Sequence, residues 1–345
     1  MLTALLSELA QRKDYLNNEI IETLYFGGGT PSLFESEALK ILVDRVREVF
    51  TLDKNAEITI EVNPDDITEE KLREWKVIGF NRLSIGIQSF FEDDLKWMNR
   101  VHNARQAFDC LNLAKSYFSN ISIDLIYGTP QLTTAKWRQN VETALKFDIP
   151  HFSCYALTVE PKTPLHKMIR KNESPDINSD EQAKQFLLVM RWLGDAGYEH
   201  YEISNFAKPG YRSRHNSSYW SGKKYLGIGP SAHSFDGLSR QWNISNNNIY
   251  IESLGQHKIP FEKEILTETQ KLNEYIMTSL RTMEGLDLTR IPETLRESIY
   301  HASKRYLVNG LIIEEGQNLK LSTEGKLVAD GIASALFLEP EKVEF

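Results

Sequence analysis

Short apolar runs alternate with helical patterns over the first 240 residues of the chain. Five of these runs carry few charges, which is typical of strands buried in a parallel sheet. They lie at 21–26, 57–62, 82–87, 121–127 and 152–157. Helical segments fall between them, and one places Leu39, Leu42 and Val46 at steps of three and four residues. Repeated strand–helix units predict a βα barrel or a doubly wound sheet.

Cap-forming residues mark several predicted helix ends. The spacing of a capping box occurs twice, at Asn103 with Gln106 and at Ser179 with Gln182. Gly79 stands where a helix should end, because glycine readily adopts the left-handed conformation of a helix C-cap. These residues set the boundaries that we expect for three helices.

The pattern changes at about residue 266. Two helices, a short hairpin and a last helix are predicted at 268–283, 292–309, 311–313, 318–321 and 323–337. This order resembles a winged helix, but basic residues do not dominate the segment, so a cap or partner-docking domain is favoured over DNA binding. We therefore predict a partial βα barrel over 1–240 and a C-terminal cap domain over 241–345.

Composition and charge exclude several classes of function. The 345 residues are 41% hydrophobic and carry a net charge of −8. No apolar run is long enough to span a membrane, and the N-terminus lacks the features of a signal peptide, so we expect a cytoplasmic protein. Nucleic acid is a poor candidate partner because its phosphates require clustered Lys and Arg.

Cysteine is scarce in this chain. Cys110 and Cys154 are its two cysteines, and neither a disulfide framework nor a cysteine-based metal site can be built from them. Cys110 falls in a helical pattern and Cys154 in a strand-like run. We predict that both are core residues, since buried thiols behave as small apolar groups.

Glycine and polar residues occupy the ends of several predicted strands. The sequence GGGT follows the first strand at 27–30, Glu61 and Gln88 stand near the ends of the next two, and Asp124 lies inside the fourth. In a barrel, these strand ends form the active-site face. Each residue alone also fits a structural role, such as a tight turn or a rim carboxylate in water. A buried Asp124 needs a partner, for which a ligand or Arg100 would serve.

The hexapeptide HNSSYW at 215–220 is the most unusual local sequence. A histidine followed by two large aromatic residues offers an axial ligand beside a flat apolar surface, which suits a planar macrocycle. The competing interpretation is a surface turn with Trp220 packed into the core. An alternative metal site would combine His200, Glu202, His215 and His233.

These motifs together resemble the HemN/HemW branch of the radical S-adenosylmethionine (SAM) proteins. The resemblance is carried by YFGGGTPSLF (25–34), EVNPDDIT (61–68), GFNRLSIGIQSF (79–90), IDLIYGTP (123–130), HNSSYW (215–220) and GIGPSAHSF (227–235). It implies an α/β fold, a partial (β/α)6 barrel of TIM type with a mostly helical, winged-helix-like cap domain, and it implies a 4Fe–4S cluster and SAM as cofactors. The SAM contacts that it implies are Gly28, Gly29, Thr30, Glu61, Gln88, Arg100 and Asp124. Ala156 and His233 are looser matches.

Two branches of this family compete. HemN is a coproporphyrinogen III dehydrogenase that uses a SAM-derived radical, whereas HemW is a heme chaperone that binds heme and passes it to acceptor proteins. The HNxxYW signature belongs to HemW-like proteins and is present here as His215, Asn216, Tyr219 and Trp220. We therefore expect a heme chaperone with His215 as the leading heme contact. A degenerate scaffold without a cluster, which binds only protein partners, is a third interpretation.

The chain departs from the family at the cluster. The family's CxxxCxxC loop lies between the first strand and the first helix, and this sequence begins with Met1 at about that helix. Cys110 and Cys154 cannot replace several converging thiolates. We expect a truncated sequence, which as written neither binds the cluster nor cleaves SAM reductively.

Overall fold

The computed structural model describes residues 1–339 of the chain. Its strands are β1 (Ile21–Phe26), β2 (Leu52–Val62), β3 (Arg82–Gln88), β4 (Ile121–Tyr127), β5 (His151–Ala156), β6 (Glu199–Glu202), β7 (Asn205–Ala207), β8 (His233–Phe235), β9 (Ser239–Asn243), β10 (Phe261–Ile265), β11 (Leu286–Asp287), β12 (Ile312–Glu315) and β13 (Asn318–Leu321). Its helices are α1 (Leu2–Gln11), α2 (Ser36–Val49), α3 (Glu69–Ile78), α4 (Glu92–Trp97), α5 (Ala104–Lys115), α6 (Thr134–Lys146), α7 (Pro164–Arg170), α8 (Ser179–Asp195), α9 (Arg214–Trp220), α10 (Asn247–Gly255), α11 (Glu268–Leu280), α12 (Glu293–Val308) and α13 (Ala329–Ala335). None of the helices within residues 1–339 combines the length and the apolar character needed to cross a membrane. The end of the predicted cap segment, 340–345, lies outside the described residues.

The largest sheet has the strand order β1-β2-β3-β4-β5-β7-β6. From β2 to β5 each strand pairs in parallel with the next, and α3, α5 and α6 provide the connections that parallel strands require. β7 and β6 then pair antiparallel. The α/β class and the partial-barrel topology predicted from the sequence are confirmed.

The predicted element ends agree with the structure in most places. β1, β4 and β13 have the predicted bounds. The capping box of Asn103 and Gln106 is present, and Gly79 ends α3 in the left-handed conformation. The second predicted capping box is wrong. Asn178, one residue before Ser179, caps α8 because its carboxamide oxygen accepts from two backbone N–H groups of the first turn.

Two compact units make up the described chain. We call residues Phe26–Leu33 and Thr59–Ser213 the central unit. We call Met1–Tyr25, Phe34–Ile58 and the residues from Arg214 onward the three-segment unit. The candidate SAM contacts belong to the former and the HNSSYW hexapeptide belongs to the latter.

A chain of buried polar side chains crosses the interior of the central unit. Ser122 Oγ lies 2.6 Å from His151 Nδ1, and His151 Nε2 lies 2.7 Å from the Tyr201 hydroxyl oxygen. Burial lowers the pKa of His151 well below its usual value, so the ring is neutral at pH 7. Both ring nitrogens are thus engaged by hydroxyl groups, and the three side chains join β4, β5 and β6.

A buried carboxylate organises part of the three-segment unit. Glu8 of α1 has no exposed surface and accepts hydrogen bonds from Gly229 N, Asn243 Nδ2 and the Tyr250 hydroxyl at 2.9, 2.7 and 2.5 Å. A buried carboxylate is tolerated only when such donors surround it. The contacts therefore fix α1 against β9 and α10.

The C-terminal elements follow the winged-helix-like order predicted for them. α11 and α12 precede a hairpin of β12 and β13, and the short strand β11 adds to that sheet. The predicted last helix over 323–337 is wrong in its extent. A 3-10 turn at Gly325–Val328 precedes α13, because the φ of −124° at Val328 interrupts a continuous helix.

Candidate functional site

The glycine run after β1 contacts the end of β2. The Gly28 N–H donates to Oε2 of Glu61 at 3.1 Å. Gly28 has a φ of 77°, which glycine adopts without strain, and a Cβ added at Gly28 or Gly29 would meet no atom within 4 Å. Thr30 follows and is partly buried. The run is therefore both a turn and an open stretch of backbone that a ligand can approach closely.

Three polar side chains meet above Gly86 in β3. A Cβ built at Gly86 would lie 2.9 Å from Gln88 Nε2, 3.3 Å from Arg100 Nη2 and 3.6 Å from Asn63 Oδ1. Arg100 Nη2 donates to Asn63 Oδ1 at 2.7 Å. The Nε atom of Arg100 is buried without a hydrogen-bond partner among residues 1–339. The guanidinium is thus held in place and keeps a donor for a ligand.

Gln88 ends β3 in a strained conformation. Its φ is 64°, and the pairing of β3 with β4 shifts register between Ile85 and Gln88. A non-glycine residue in this region costs about 1–3 kcal/mol and persists where the surrounding structure requires it. Here the bulge places the carboxamide of Gln88 beside Arg100.

Asp124 changes charge near neutral pH. Burial raises the pKa of its carboxyl to about 7, and the nearby carboxylate of Glu61 adds to the rise. A hydrogen bond with Ser153 and the charges of Arg82 and Arg100 oppose the shift. The hydrogen bond with Ser153 gives Asp124 a partner that was not predicted, whereas the predicted Arg100 acts on it through its charge.

All seven predicted SAM contacts lie in the central unit, namely Gly28, Gly29, Thr30, Glu61, Gln88, Arg100 and Asp124. Of the looser matches, Ala156 ends β5 in that unit and His233 lies on β8 of the three-segment unit. Sequence reasoning missed Gly86 and Ser153. A glycine inside an apolar strand is a recognised signal of close approach and could have identified Gly86; no comparable signal marks Ser153.

The HNSSYW hexapeptide lies in the short helix α9, so the competing interpretation as a surface turn is wrong. The backbone N–H groups of Arg214 and His215 donate to the carboxylate of Glu57 at 3.1 and 3.0 Å. Glu57 is buried, and its charge faces the positive end of the helix. Its role was not predictable, because Glu57 and α9 are far apart in sequence.

Aromatic rings surround the imidazole of His215. Its ring is stacked on Tyr25 with a centroid distance of 4.4 Å, and Tyr219 meets it edge-on at 5.0 Å. The Nδ1 atom lies 3.1 Å from Thr23 Oγ1. Burial lowers the pKa of His215 to about 4, so the ring is neutral at pH 7, which is the form that binds metal ions. Thr23 and Tyr25 alternate on one face of β1, a pattern that could have identified them.

The other predicted residues of α9 face different neighbours. Tyr219, which is 41% exposed, continues the aromatic row to Tyr225 at a centroid distance of 4.7 Å. Asn216 is partly buried. Trp220 lies under the guanidinium of Arg281, whose central carbon is 5.4 Å from the ring centroid. The helix thus presents one aromatic face beside His215 and packs Trp220 against α11.

The two cysteines are buried and free, as predicted. Burial raises the pKa of the Cys110 thiol to about 12 and also raises that of Cys154, so neither is a thiolate at pH 7. The residues present therefore do not fit a 4Fe–4S cluster, which needs several converging thiolates. Within residues 1–339 no group of three or more His, Cys, Asp or Glu side chains could hold a metal ion. This finding contradicts the alternative metal site at His200, Glu202, His215 and His233.

Two protein families match separate segments of this chain, and known proteins are similar to it over nearly its whole length. Residues 5–144 match the Radical SAM superfamily and residues 266–328 match the HemN C-terminal domain. Heme chaperone HemW of Mycobacterium tuberculosis is 34% identical over 337 residues, which cover 97% of this chain and 85% of the relative. Heme chaperone HemW of Bacillus subtilis is 34% identical over 327 residues, covering 92% and 86%. Coproporphyrinogen III oxidase (HemN) from Escherichia coli has a TM-score of 0.81 at 22% identity, over 97% of this chain and 82% of that one, which shows the same fold.

Proposed function

The chain belongs to the HemW family, and on that premise we propose that it is a heme chaperone, which binds heme and transfers it to acceptor proteins. The observation that carries this proposal is the 34% identity to HemW relatives over nearly the whole chain. The order of motifs, from the glycine run to HNSSYW, agrees with it.

We assign heme contact to α9, through His215, Asn216, Tyr219 and Trp220. Heme combines a flat apolar macrocycle with an iron atom that accepts a neutral imidazole as axial ligand. The imidazole of His215 is already neutral at pH 7. Tyr25 and Thr23 orient its ring, in the same way that residues around a metal-binding histidine orient it without touching the metal. The partly exposed ring of Tyr219 supplies apolar surface beside it.

We assign SAM binding to the central unit, through Gly28, Gly29, Thr30, Glu61, Gln88, Arg100 and Asp124. Open glycine backbone, the unpartnered Nε of Arg100 and the carboxylates of Glu61 and Asp124 support this assignment. SAM supplies a sulfonium cation and a nucleoside when bound, and a carboxylate pair favours a cation. No step of the proposal involves a cluster, because the residues present do not fit one.

Two further expectations accompany this proposal. We infer that residues 1–240 form the barrel and 241–345 the cap, and the cytoplasmic location stays a prediction. The alternative activity of a coproporphyrinogen III dehydrogenase has in its favour the SAM-site motifs that both branches share and the HemN-like fold, and the 22% identity to HemN shows nothing beyond that fold.

Hemin titration followed by transfer tests the chaperone function. We expect a shifted Soret band with the wild type, an affinity at least about tenfold weaker in His215→Ala, and an unchanged affinity in the matched control His301→Ala, whose residue is exposed on α12. Loaded protein mixed with apomyoglobin should then produce the myoglobin spectrum. Failure of the wild type to shift the Soret band, or to release its hemin, would overturn the proposal.

A further inference from the structure

The imidazole of His102 contacts the backbone at the end of β3. Its side chain has no exposed surface, and its Nε2 atom lies 3.1 Å from the carbonyl oxygen of Ile87. Because a carbonyl oxygen can only accept a hydrogen bond, the Nε2 atom carries the proton and donates. The ring therefore joins the segment before α5, whose N-cap is Asn103, to the last turn of the strand.

The other ring nitrogen of His102 carries no proton. Its Nδ1 atom is buried without a hydrogen-bond partner among residues 1–339, and the nearest carboxylate oxygen, Asp65 Oδ1, is 4.0 Å away. Burial lowers the pKa of His102, and the charge of Arg100 adds to this effect. The hydrogen bond to Ile87 and the carboxylates of Asp65 and Glu92 oppose it without reversing it. The neutral ring thus has one donor, which serves one acceptor.

The carbonyl group of Ile87 closes a tight turn. The backbone N–H group of Ser89 also donates to it, at 2.8 Å, and Gln88 between them has a φ of 64°. A hydrogen bond from residue i+2 to residue i around a positive φ forms the rarer, strained type of γ-turn. Such a conformation persists only where contacts from outside the turn maintain it. His102 supplies a contact of this kind.

The turn determines where the carboxamide of Gln88 lies. Its Nε2 atom is placed over β3, 2.9 Å from a Cβ built at Gly86. Arg100 is held separately, because its Nη2 atom donates to Asn63 Oδ1 at 2.7 Å and to the Gly86 carbonyl oxygen at 3.5 Å. Loss of the imidazole of His102 would therefore release Gln88 and leave the guanidinium in place.

We propose that His102 is a positioning residue for SAM binding, which keeps the turn at 87–89 closed and so directs the carboxamide of Gln88 toward the ligand. This inference rests on the proposed SAM binding and adds to it a residue that does not touch the ligand. Because His102 acts through Gln88, its effect on SAM affinity depends on the presence of that carboxamide.

A double-mutant cycle on SAM affinity tests this dependence. By calorimetric titration we expect His102→Leu to weaken SAM binding about three- to tenfold, but less than about twofold when Gln88→Ala is already present. His102→Gln keeps an N–H donor near the position of Nε2 and should bind SAM within about twofold of the wild type. The proposal is overturned by losses that add in the double variant, by no loss in His102→Leu, or by a loss in His102→Gln equal to that in His102→Leu.

His200 offers a matched control in the same central unit. Its Nε2 atom lies 2.9 Å from the carbonyl oxygen of Ile203, between β6 and β7. His200→Leu should lower the free energy of unfolding, as His102→Leu does, and should leave SAM affinity unchanged. Equal losses of affinity in both variants would show a general effect of destabilisation and would refute the positioning role.

A second measurement does not depend on SAM. In ¹H–¹⁵N spectra of the imidazole groups, the signals absent from His102→Leu identify His102, and their ¹⁵N shifts report which nitrogen carries the proton. We expect that nitrogen to be Nε2 at pH 7, and a proton at Nδ1 would refute the hydrogen bond to Ile87. If the wild type binds no SAM, the SAM assignment fails and the positioning role fails with it. If the wild type binds SAM and the losses in the cycle add, the positioning role alone fails.

Discussion

The imidazole of His215 lies nearly parallel to the phenol ring of Tyr25, with ring centroids 4.4 Å apart and planes inclined by 10°. Thr23 lies beside the same imidazole at Nδ1. One strand therefore fixes both the face and one nitrogen of the histidine. Tyr25 is a positioning residue, because it acts through His215 rather than on the ligand.

Replacement of Tyr25 by Leu should weaken hemin binding without changing the iron ligand. Aromatic pairs contribute about 0.5–1.5 kcal/mol beyond burial, which corresponds to a loss of about two- to tenfold in affinity. Titration should show this loss with the Soret maximum unchanged, whereas His215→Ala should move the maximum. Tyr300→Leu, at a partly exposed ring of α12, serves as the control. A moved maximum in Tyr25→Leu would contradict the positioning role.

Loss of the charge on Glu57 should destabilise the protein and weaken hemin binding together. Its carboxylate accepts from two backbone N–H groups of α9, so Glu57→Gln leaves one buried donor poorly satisfied, at a cost of about 1–3 kcal/mol. Urea unfolding measures the loss of stability and hemin titration the affinity. Glu252→Gln, on the exposed side of α10, should change neither. A Glu57→Gln variant as stable as that control would show that the contact is unimportant.

SAM affinity should rise between pH 6 and pH 8. The pKa of Asp124 is raised to about 7, so its carboxyl gains its negative charge over this interval and attracts the sulfonium cation. One ionisation centred at this pH changes the affinity about tenfold. Calorimetric titration at both pH values measures the SAM affinity. In Asp124→Asn, only the ionisation of SAM itself remains to change this affinity with pH. The same pH dependence in wild type and variant would exclude Asp124 as its source.

Acidification should destabilise the fold through His151. Its pKa in the folded state lies well below 6.5, so the unfolded chain binds a proton first as the pH falls. The stability contributed by the neutral ring is complete above about pH 6.5 and declines below it, by about 1 kcal/mol at pH 5.5. Urea unfolding at several pH values measures the free energy of unfolding of the wild type and of His151→Gln. We expect this free energy to change less steeply with pH in His151→Gln. The control His301→Gln should keep the slope of the wild type. Equal slopes in all three proteins would contradict this assignment.

Local chemistry made much of the fold predictable. β1 and β4 have their predicted ends, since both are apolar runs bounded by turn residues. The cap of α8 was misplaced because Asn178 and Ser179 are both good capping residues, and only the backbone geometry decides between them. The last helix was predicted too long because sequence periodicity does not reveal the conformation of Val328.

The candidate SAM site was more predictable than the environment of α9. Parallel strands bring their carboxyl ends to one edge, so the contact of Gly28 with Glu61 follows from topology. Glu57 and Arg281 reach α9 from distant segments, and no spacing in the sequence marks such pairings. The positive φ of Gln88 was also unforeseen, because it is imposed by a bulge between strands.

The hydrogen bonds of Glu8 have a consequence for protein synthesis. Their donors on Asn243 and Tyr250 are separated from Glu8 by 235 and 242 positions. A ribosome therefore releases α1 long before it has made β9 and α10, and the entropy of closing so large a loop must be overcome before the contacts form. The apolar surface of α1 at Ala4 is covered by Tyr250 and Leu254, so this part of the helix stays uncovered until α10 has been made, and uncovered apolar surface favours aggregation of a growing polypeptide.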